Sequence, residues 1–333
     1  LILWDLIAGK EIRKFARKSE SVHKIRYSPN GRFVLSANND GSLNLYEIYS
    51  GRKVRVFKGS SVKVLAVAGT PDGRLVLSGS DNGSITLWDI QEGRGVKIIK
   101  AHNTAISSIA ASSDGRQALS GSKNGTLKLW DISTGKSSLL FRGHTAEVTS
   151  VAFSPDSQLA LSSSKDETCK IWNLSNGKLI KTLKGHNHWV NAATFSPDGK
   201  FVISGSSDNS VKLWEISSGA EIRTFLVDES WIRSVAFSPD GRYILAGGWQ
   251  TSTLWEVSTG RRVQVFKGHT GNVVSIAFSP YGNRILSAGD DRMIKLWDAK
   301  SGQVIRSHKN HLDEIHVAKF SKDGRYILTC SSD

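Results

Sequence analysis

The stretch GHTAEVTSVAFSPDSQLALSSSKDETCKIWN, residues 143–173, decides the fold. Its apolar residues fall in short alternating runs, VTSVAF at 148–153 and LALS at 159–162, before CKIW at 169–172, and turn formers such as Ser-Pro-Asp separate them. Period-two alternation bounded by Pro, Asp, Asn and Gly reads as short strands joined by tight turns. The same text returns at 185–216 as GHNHWVNAATFSPDGKFVISGSSDNSVKLWEI, so the unit is a repeat.

Working outward, the repeat fills the chain. The tryptophan of an LWD-like triplet stands at Trp4, Trp88, Trp130, Trp172, Trp214, Trp255 and Trp297, with Tyr46 in the one missing place. Successive positions are 42 residues apart except for one step of 41, between Trp214 and Trp255. Self-similarity at a period of about 40 residues marks a repeat architecture, in which each unit buries its apolar faces on its neighbours.

Four alternating segments per unit, with motifs such as GHTAEVTSVAFSPD followed by SSSKDETCKIWN, resemble the WD-repeat propeller family over the entire chain. The resemblance implies an all-β ring of four-stranded antiparallel blades around a central channel. The expected fold is a single eight-bladed β-propeller over 1–333, with blade eight built from 303–333 plus 1–15. The resemblance also implies a buried tetrad of His, Ser or Thr, Asp and Trp in each regular blade. At fixed offsets these are His144, Ser162, Asp166 and Trp172; His186, Ser204, Asp208 and Trp214; His269, Ser287, Asp291 and Trp297; and, with Asn for Asp, His102, Ser120, Asn124 and Trp130. His311, Thr329 and Asp333 begin one more set at the C-terminal end, and Trp4 supplies the tryptophan it lacks. The step from Trp297 round to Trp4 through the chain ends is 40 residues, two short of the period, so N- and C-terminal strands are expected to share the last blade.

Most catalytic chemistry is set aside on these grounds. Each tetrad holds Ser, His and Asp, but a nucleophile needs substrate access and oxyanion donors, whereas these serines lie on inner strands beside a bulky indole. Five of the nine histidines belong to tetrads, and a leftover pair such as His188 and His316 falls in different blades, so zinc spacing is not met. No phosphate-cradling or dinucleotide motif opens a helix. No enzyme activity, metal or cofactor is therefore expected. Asn82, Asn124 and Asn173 stand in glycosylation-like triplets, each of which the repeat geometry also explains.

Two cysteines, Cys169 and Cys330, are too few for a disulfide framework, and no stretch approaches the roughly 20 apolar residues of a membrane helix. A cytoplasmic location is the resulting expectation. The chain starts at Leu1 without a methionine, so targeting is not read from this end, and an excerpt of a longer protein is expected.

In such a ring the loops carrying the tetrad His and Asp open on one face, the top. Positions three and five after the His, and the one before the Asp, are read as free to meet a partner there. They include His23, Lys63, Glu147, Trp189, Asn191, Trp231, Arg233 and His316. The unit of Trp231 deviates most: Asp228 replaces its His, Ala246 its Ser, and AGGWQTSTLWE is one residue short, which places Trp249 in the strand-joining turn. Trp and Arg are the residue types that most often anchor interfaces, so Trp189, Trp231, Trp249 and Arg233 are the expected anchors for a protein or peptide, or for another domain of the same polypeptide. A second reading has Trp231 and Trp249 filling the volume of the missing tetrad. The opposite face collects Lys10, Arg52, Arg94, Lys136, Lys178 and Arg261 with Arg32, Arg74, Arg116, Lys200, Arg242 and Arg325, which concentrates the net charge of +14. A basic nucleic-acid-binding ring is the alternative that this charge offers, without interleaved aromatics for base stacking.

Overall fold

The computed structural model describes residues 1–6, 8–15, 21–28, 30–57, 62–90, 92, 94–227, 230–309 and 311–333, with Arg94 described by its backbone alone. Among them the chain is all β, with thirty-one strands and no helix, hence no helix long and apolar enough to cross a membrane. A regular unit runs antiparallel through Val148–Phe153, Leu159–Ser164, Thr168–Asn173 and Leu179–Lys184. Turn chemistry sets these lengths. At the first turn of the next unit Gly199 takes φ +70, its N–H donates to Ser196 O, and the Ser196 hydroxyl donates to Asp198 while accepting from Phe201 N–H. The glycosylation-like asparagines cap turns in the same way, accepting from Ser84, Thr126 and Ser175.

The chain ends meet in one sheet. Ile2–Asp5 pairs with Tyr326–Ser331, Leu3 opposite Leu328, and the sheet continues to Lys10–Lys14 on one side and Ile315–Phe320 on the other. Its two faces are buried on different neighbours. Leu1, Leu3, Phe15 and Leu328 pack against Val22, Ile25, Val34 and Tyr46, whereas Ile2, Trp4 and Ile327 pack against Leu286, Ile294 and Leu296. The first strands of successive units also contact one another in chain order from Val22–Tyr27 to Ile315–Phe320, and that last strand contacts the first. Edges that would template aggregation are thereby covered.

Hydrogen bonding yields six four-stranded sheets and one of seven strands, which departs from four strands in every unit. The cause is the short unit. A two-residue turn at Trp249–Gln250, with Gln250 at φ +58 and Gly248 N–H bonded to Thr251 O, brings Trp249 opposite Asn272. The connection then stays extended, so Arg262–Phe278 pairs on one side with Trp249–Glu256 and on the other with Arg284–Gly289.

The tetrads tie the strands together. Asp166 Oδ2 lies 2.7 Å from His144 Nδ1, so that nitrogen carries the proton, and His144 Nε2 accepts from the Ser162 hydroxyl at 2.8 Å. Ser162 Oγ in turn accepts from Trp172 Nε1–H at 2.9 Å, which satisfies every member. His186, Ser204, Asp208 and Trp214 repeat the set, as do His269, Ser287, Asp291 and Trp297. The set that spans the chain ends is complete as well: His311 binds Asp333 and Thr329, and Trp4 Nε1–H donates to Thr329 Oγ1 at 3.1 Å. One expected member is displaced. His102 Nδ1 faces Thr126 Oγ1 at 3.0 Å rather than Asn124, because the single amide oxygen of Asn124 is occupied by the Thr126 N–H and hydroxyl.

This packing has measurable consequences for stability. Trp4→Ala removes an indole that is 2% exposed and stacked on His308, and should lower stability by about 3–5 kcal/mol in urea unfolding; an unchanged midpoint would remove the closure from the stability argument. Burial and the charge of Lys128 push His102 down to about 4 from 6.5. The folded state therefore resists a proton that the unfolded chain accepts, so stability is complete above about pH 6.5 and declines as pH falls toward 4. Burial opposes ionisation of Asp166, Asp208, Asp291 and Asp333, yet hydrogen bonds from histidine and backbone hold each below the usual carboxylate range, and their contribution is lost only at lower pH. Urea midpoints between pH 7 and 4 should slope less for His102→Gln than for the parent; parallel slopes would contradict the assignment.

Candidate binding face

The tetrad carboxylates shape the loops on their own end of the ring. Asp166 also accepts from Thr145 N–H, Asp208 from Asn187 N–H, Asp291 from Thr270 N–H and Asp333 from Leu312 N–H. Each bond pins the residue after the His to the loop before the next strand. Beyond that pinned residue the expected site residues fall into two groups.

In three units position five after the His is consumed by the fold. Ser107 bonds Val148 O, Thr149 bonds Val190 O at 2.6 Å, and the Asn191 amide donates to Ile232 O at 2.8 Å and to Ser207 Oγ at 2.9 Å. These side chains are clasps between neighbouring units, so Asn191 is not a free contact. At the same place His23 and His316 stack on each other with centroids 4.8 Å apart, and His316 Nε2 lies 2.6 Å from Ser332 Oγ. Burial, Lys63 and His316 push His23 down to about 4, so both rings sit as half-buried neutral neighbours rather than open anchors. Lys63 is half-buried beside them.

Position three is different. Trp189 is 47% exposed and Trp231 56%, and Trp249 in its tight turn is 50% exposed. Arg233, at position five of the deviant unit, is exposed as well, while the neighbouring Ile232 is fully buried and anchors the segment. The indole of Trp189 is braced rather than loose. Lys165 bridges Glu147 at 2.7 Å and holds its ammonium 4.7 Å from the Trp189 ring, the His188 ring lies 5.2 Å from it, and the backbone N–H of Trp189 donates to His188 Nδ1 at 2.8 Å. Glu147 thus serves through Lys165, which stands just before Asp166 at one of the positions read as free on this face.

The deviant unit explains itself without its tryptophans. Asp228 lies outside the described residues. Ala246 and Trp255 are buried where the Ser and Trp of a tetrad would be, and the fully buried Ser230 packs so closely on Gly248 that a Cβ there would meet Ser230 Oγ at 1.9 Å. Ser230 Oγ accepts from Trp249 N–H. Trp231 and Trp249 stand outside this packing, so they do not fill the missing tetrad.

On the basic face, the eleven described side chains of the two expected rings are all exposed, and Arg32 and Arg74 pair with Glu47 and Asp89. Other cations close seams. Arg13, Lys97 and Arg223 donate to the carbonyls of Ser50, Thr134 and Thr259 in the turn of the next unit. Among the described residues no group of three or more His, Cys, Asp or Glu could hold a metal, and burial pushes the Cys330 thiol up to about 12 and that of Cys169 higher.

A family model described as the WDR36/Utp21 second beta-propeller domain matches residues 57–250, and the model of the WD domain, G-beta repeat matches 9–47, 260–298 and 302–333. No curated protein sequence matches the chain. Among solved structures, the crystal structure of the computationally designed Ika8 protein is similar, with a TM-score of 0.83 and 28% identity over 94% of this chain and 96% of that one. The repeat spacing, the hydrogen-bonded tetrads and these matches together show that the chain belongs to the WD40-repeat β-propeller family.

Proposed function

We propose that residues 1–333 form one eight-bladed, non-catalytic interaction module that captures a protein or peptide on the face where the tetrad loops open. Propellers of this family generally mediate protein–protein interactions, and the observation that carries the reading here is the trio of exposed tryptophans. Exposed indoles need a reason, because a large rigid aromatic left in water forfeits apolar burial that a partner would supply. Trp189, Trp231 and Trp249 come from two successive units, with Arg233 between Trp231 and Trp249 in sequence, and the Trp189 ring is flanked by the Lys165 ammonium and the His188 ring. Glu147, His23, Lys63 and His316 belong to the rim, where they tune charge rather than supply anchoring area. The blade count rests on treating the long strand Arg262–Phe278 as the outer strand of one blade and the inner strand of the next. Two free, buried thiols suit a reducing cytoplasmic setting and a scaffold or signalling role.

The exposed basic rings favour one competing reading, a nucleic-acid-binding propeller. Salt separates the two. Contacts to several phosphates lose orders of magnitude of affinity between low and moderate salt, whereas an aromatic anchor changes little. The test is quantitative capture of partners by the parent chain and by Trp189→Ala, Trp231→Ala and Trp249→Ala at two salt concentrations. Loss of at least about tenfold in affinity with each substitution, at a urea midpoint within about 1 kcal/mol of the parent, is the expected result. Capture that survives all three substitutions but collapses with salt transfers the function to the basic face.

A further inference from the structure

The inner strands that line the channel carry no carboxylate. Val22–Tyr27, Val64–Gly69, Ile106–Ala111, Val148–Phe153, Val190–Phe195, Ser234–Phe237, Arg262–Phe278 and Ile315–Phe320 contain neither Asp nor Glu. Three cations nevertheless converge on one arc of the wall. Lys24 and Arg26 stand two residues apart and therefore share a strand face, and Lys319 stands on the strand that contacts theirs.

Strand register makes the placement specific. Arg26 pairs with Leu35 and Lys319 with Leu328, and the residues in the equivalent place on the other strands are Ala68, Ala110, Ala152, Thr194, Ala236 and Ala277, paired with Leu77, Leu119, Leu161, Ile203, Leu245 and Leu286. One layer of the channel thus has small neutral residues at six places and a cation at two adjacent ones, which leaves open space in front of the charges. Lys24 and Arg26 are exposed, Arg26 borders a cavity of about 290 Å³ with Ala68 and Ala110, and Lys319 borders another of about 750 Å³ together with Phe278 and Phe320. A volume of this order suits a small molecule rather than a folded partner.

None of the three cations has an ion-pair partner among the described residues. Arg26 Nε–H donates to Val67 O at 3.2 Å, which uses one of its five N–H groups and leaves the fork of the guanidinium without an ion-pair partner. The neighbouring Tyr27 hydroxyl is buried without a partner. The charge of Arg26, then burial, then Lys24 hold the Lys319 ammonium down to about 7, a measure of how much like charge is crowded there. Walls of low dielectric focus such a field on whatever enters.

We propose that Lys24, Arg26 and Lys319 form an anion site inside the channel for a small molecule bearing two or more phosphoryl charges. The guanidinium fork and two ammonium groups match phosphate oxygens, and the anion relieves the repulsion among the three cations. The site lies on the channel wall, apart from the tryptophan face, and its existence does not depend on what that face holds.

The experiment is calorimetric titration of the whole chain with inorganic pyrophosphate and, separately, with adenosine diphosphate, each against sodium chloride of equal ionic strength. Arg26→Ala and Lys319→Ala introduce the residue that five other strands already carry at that layer, so both variants keep the fold, which their urea midpoints verify. The expected result is saturable binding of the parent, weakened at least tenfold by either substitution and lost in the double variant. Equal affinity for the two ligands assigns the site to the phosphates alone, and tighter nucleotide binding adds the phenylalanine wall to it. No binding above the chloride control, or undiminished binding by the double variant, overturns the proposal.

Discussion

The structure depends on a join between two segments 325 residues apart in sequence. Trp4 Nε1–H donates to Thr329 Oγ1, which also bonds His311, while the backbone on either side pairs Leu3 with Leu328. Without this contact the ring has two bare sheet edges and two unburied apolar faces, and each is a site for aggregation. With it, every unit is flanked by another. The same three-way meeting at a hydroxyl holds the regular units, but there the partners lie close in sequence. The join at the chain ends is the one whose loop-closure entropy is largest, and it is stabilised by burial on both neighbouring units.

Because the tetrads and clasps meet the needs of the interior, the side chains left at the surface stand out against a regular background. Asn191, Thr149 and Ser107 look like surface polar residues in sequence and are spent on carbonyls across the seams. The basic excess divides likewise. Arg13, Lys97 and Arg223 close turns of the next unit, whereas Lys24, Arg26 and Lys319 crowd like charge onto two contacting inner strands that carry no carboxylate. A repeat fold makes such departures readable, since each position has equivalents that set its ordinary occupant.

Much of the architecture was legible in the residues alone. The period of Trp4 to Trp297, the four alternating segments and the two-residue shortfall at the ends sufficed to place strands, tetrads and closure, because each of these comes from local patterning repeated at fixed offset. The exchange of Asn124 for Thr126 at His102 was not legible: it turns on an amide oxygen already filled by its own turn. Nor was the merged strand Arg262–Phe278, which arises from how a shortened hairpin sits against the next segment.

The site shows the same boundary. Sequence offsets nominated Trp189, Trp231, Trp249 and Arg233, and also His23, Lys63, Asn191 and His316, without a means to separate exposed anchors from half-buried spacers. The position before the Asp took in Lys165, whereas the offsets passed over the cations of the channel. The sequence by itself determined which residues are equivalent, because equivalence is a matter of period. Only the tertiary structure decided which of them face water, since exposure and charge crowding depend on what the neighbouring unit places within a few ångströms, and strands of different units approach one another with no signal in either one.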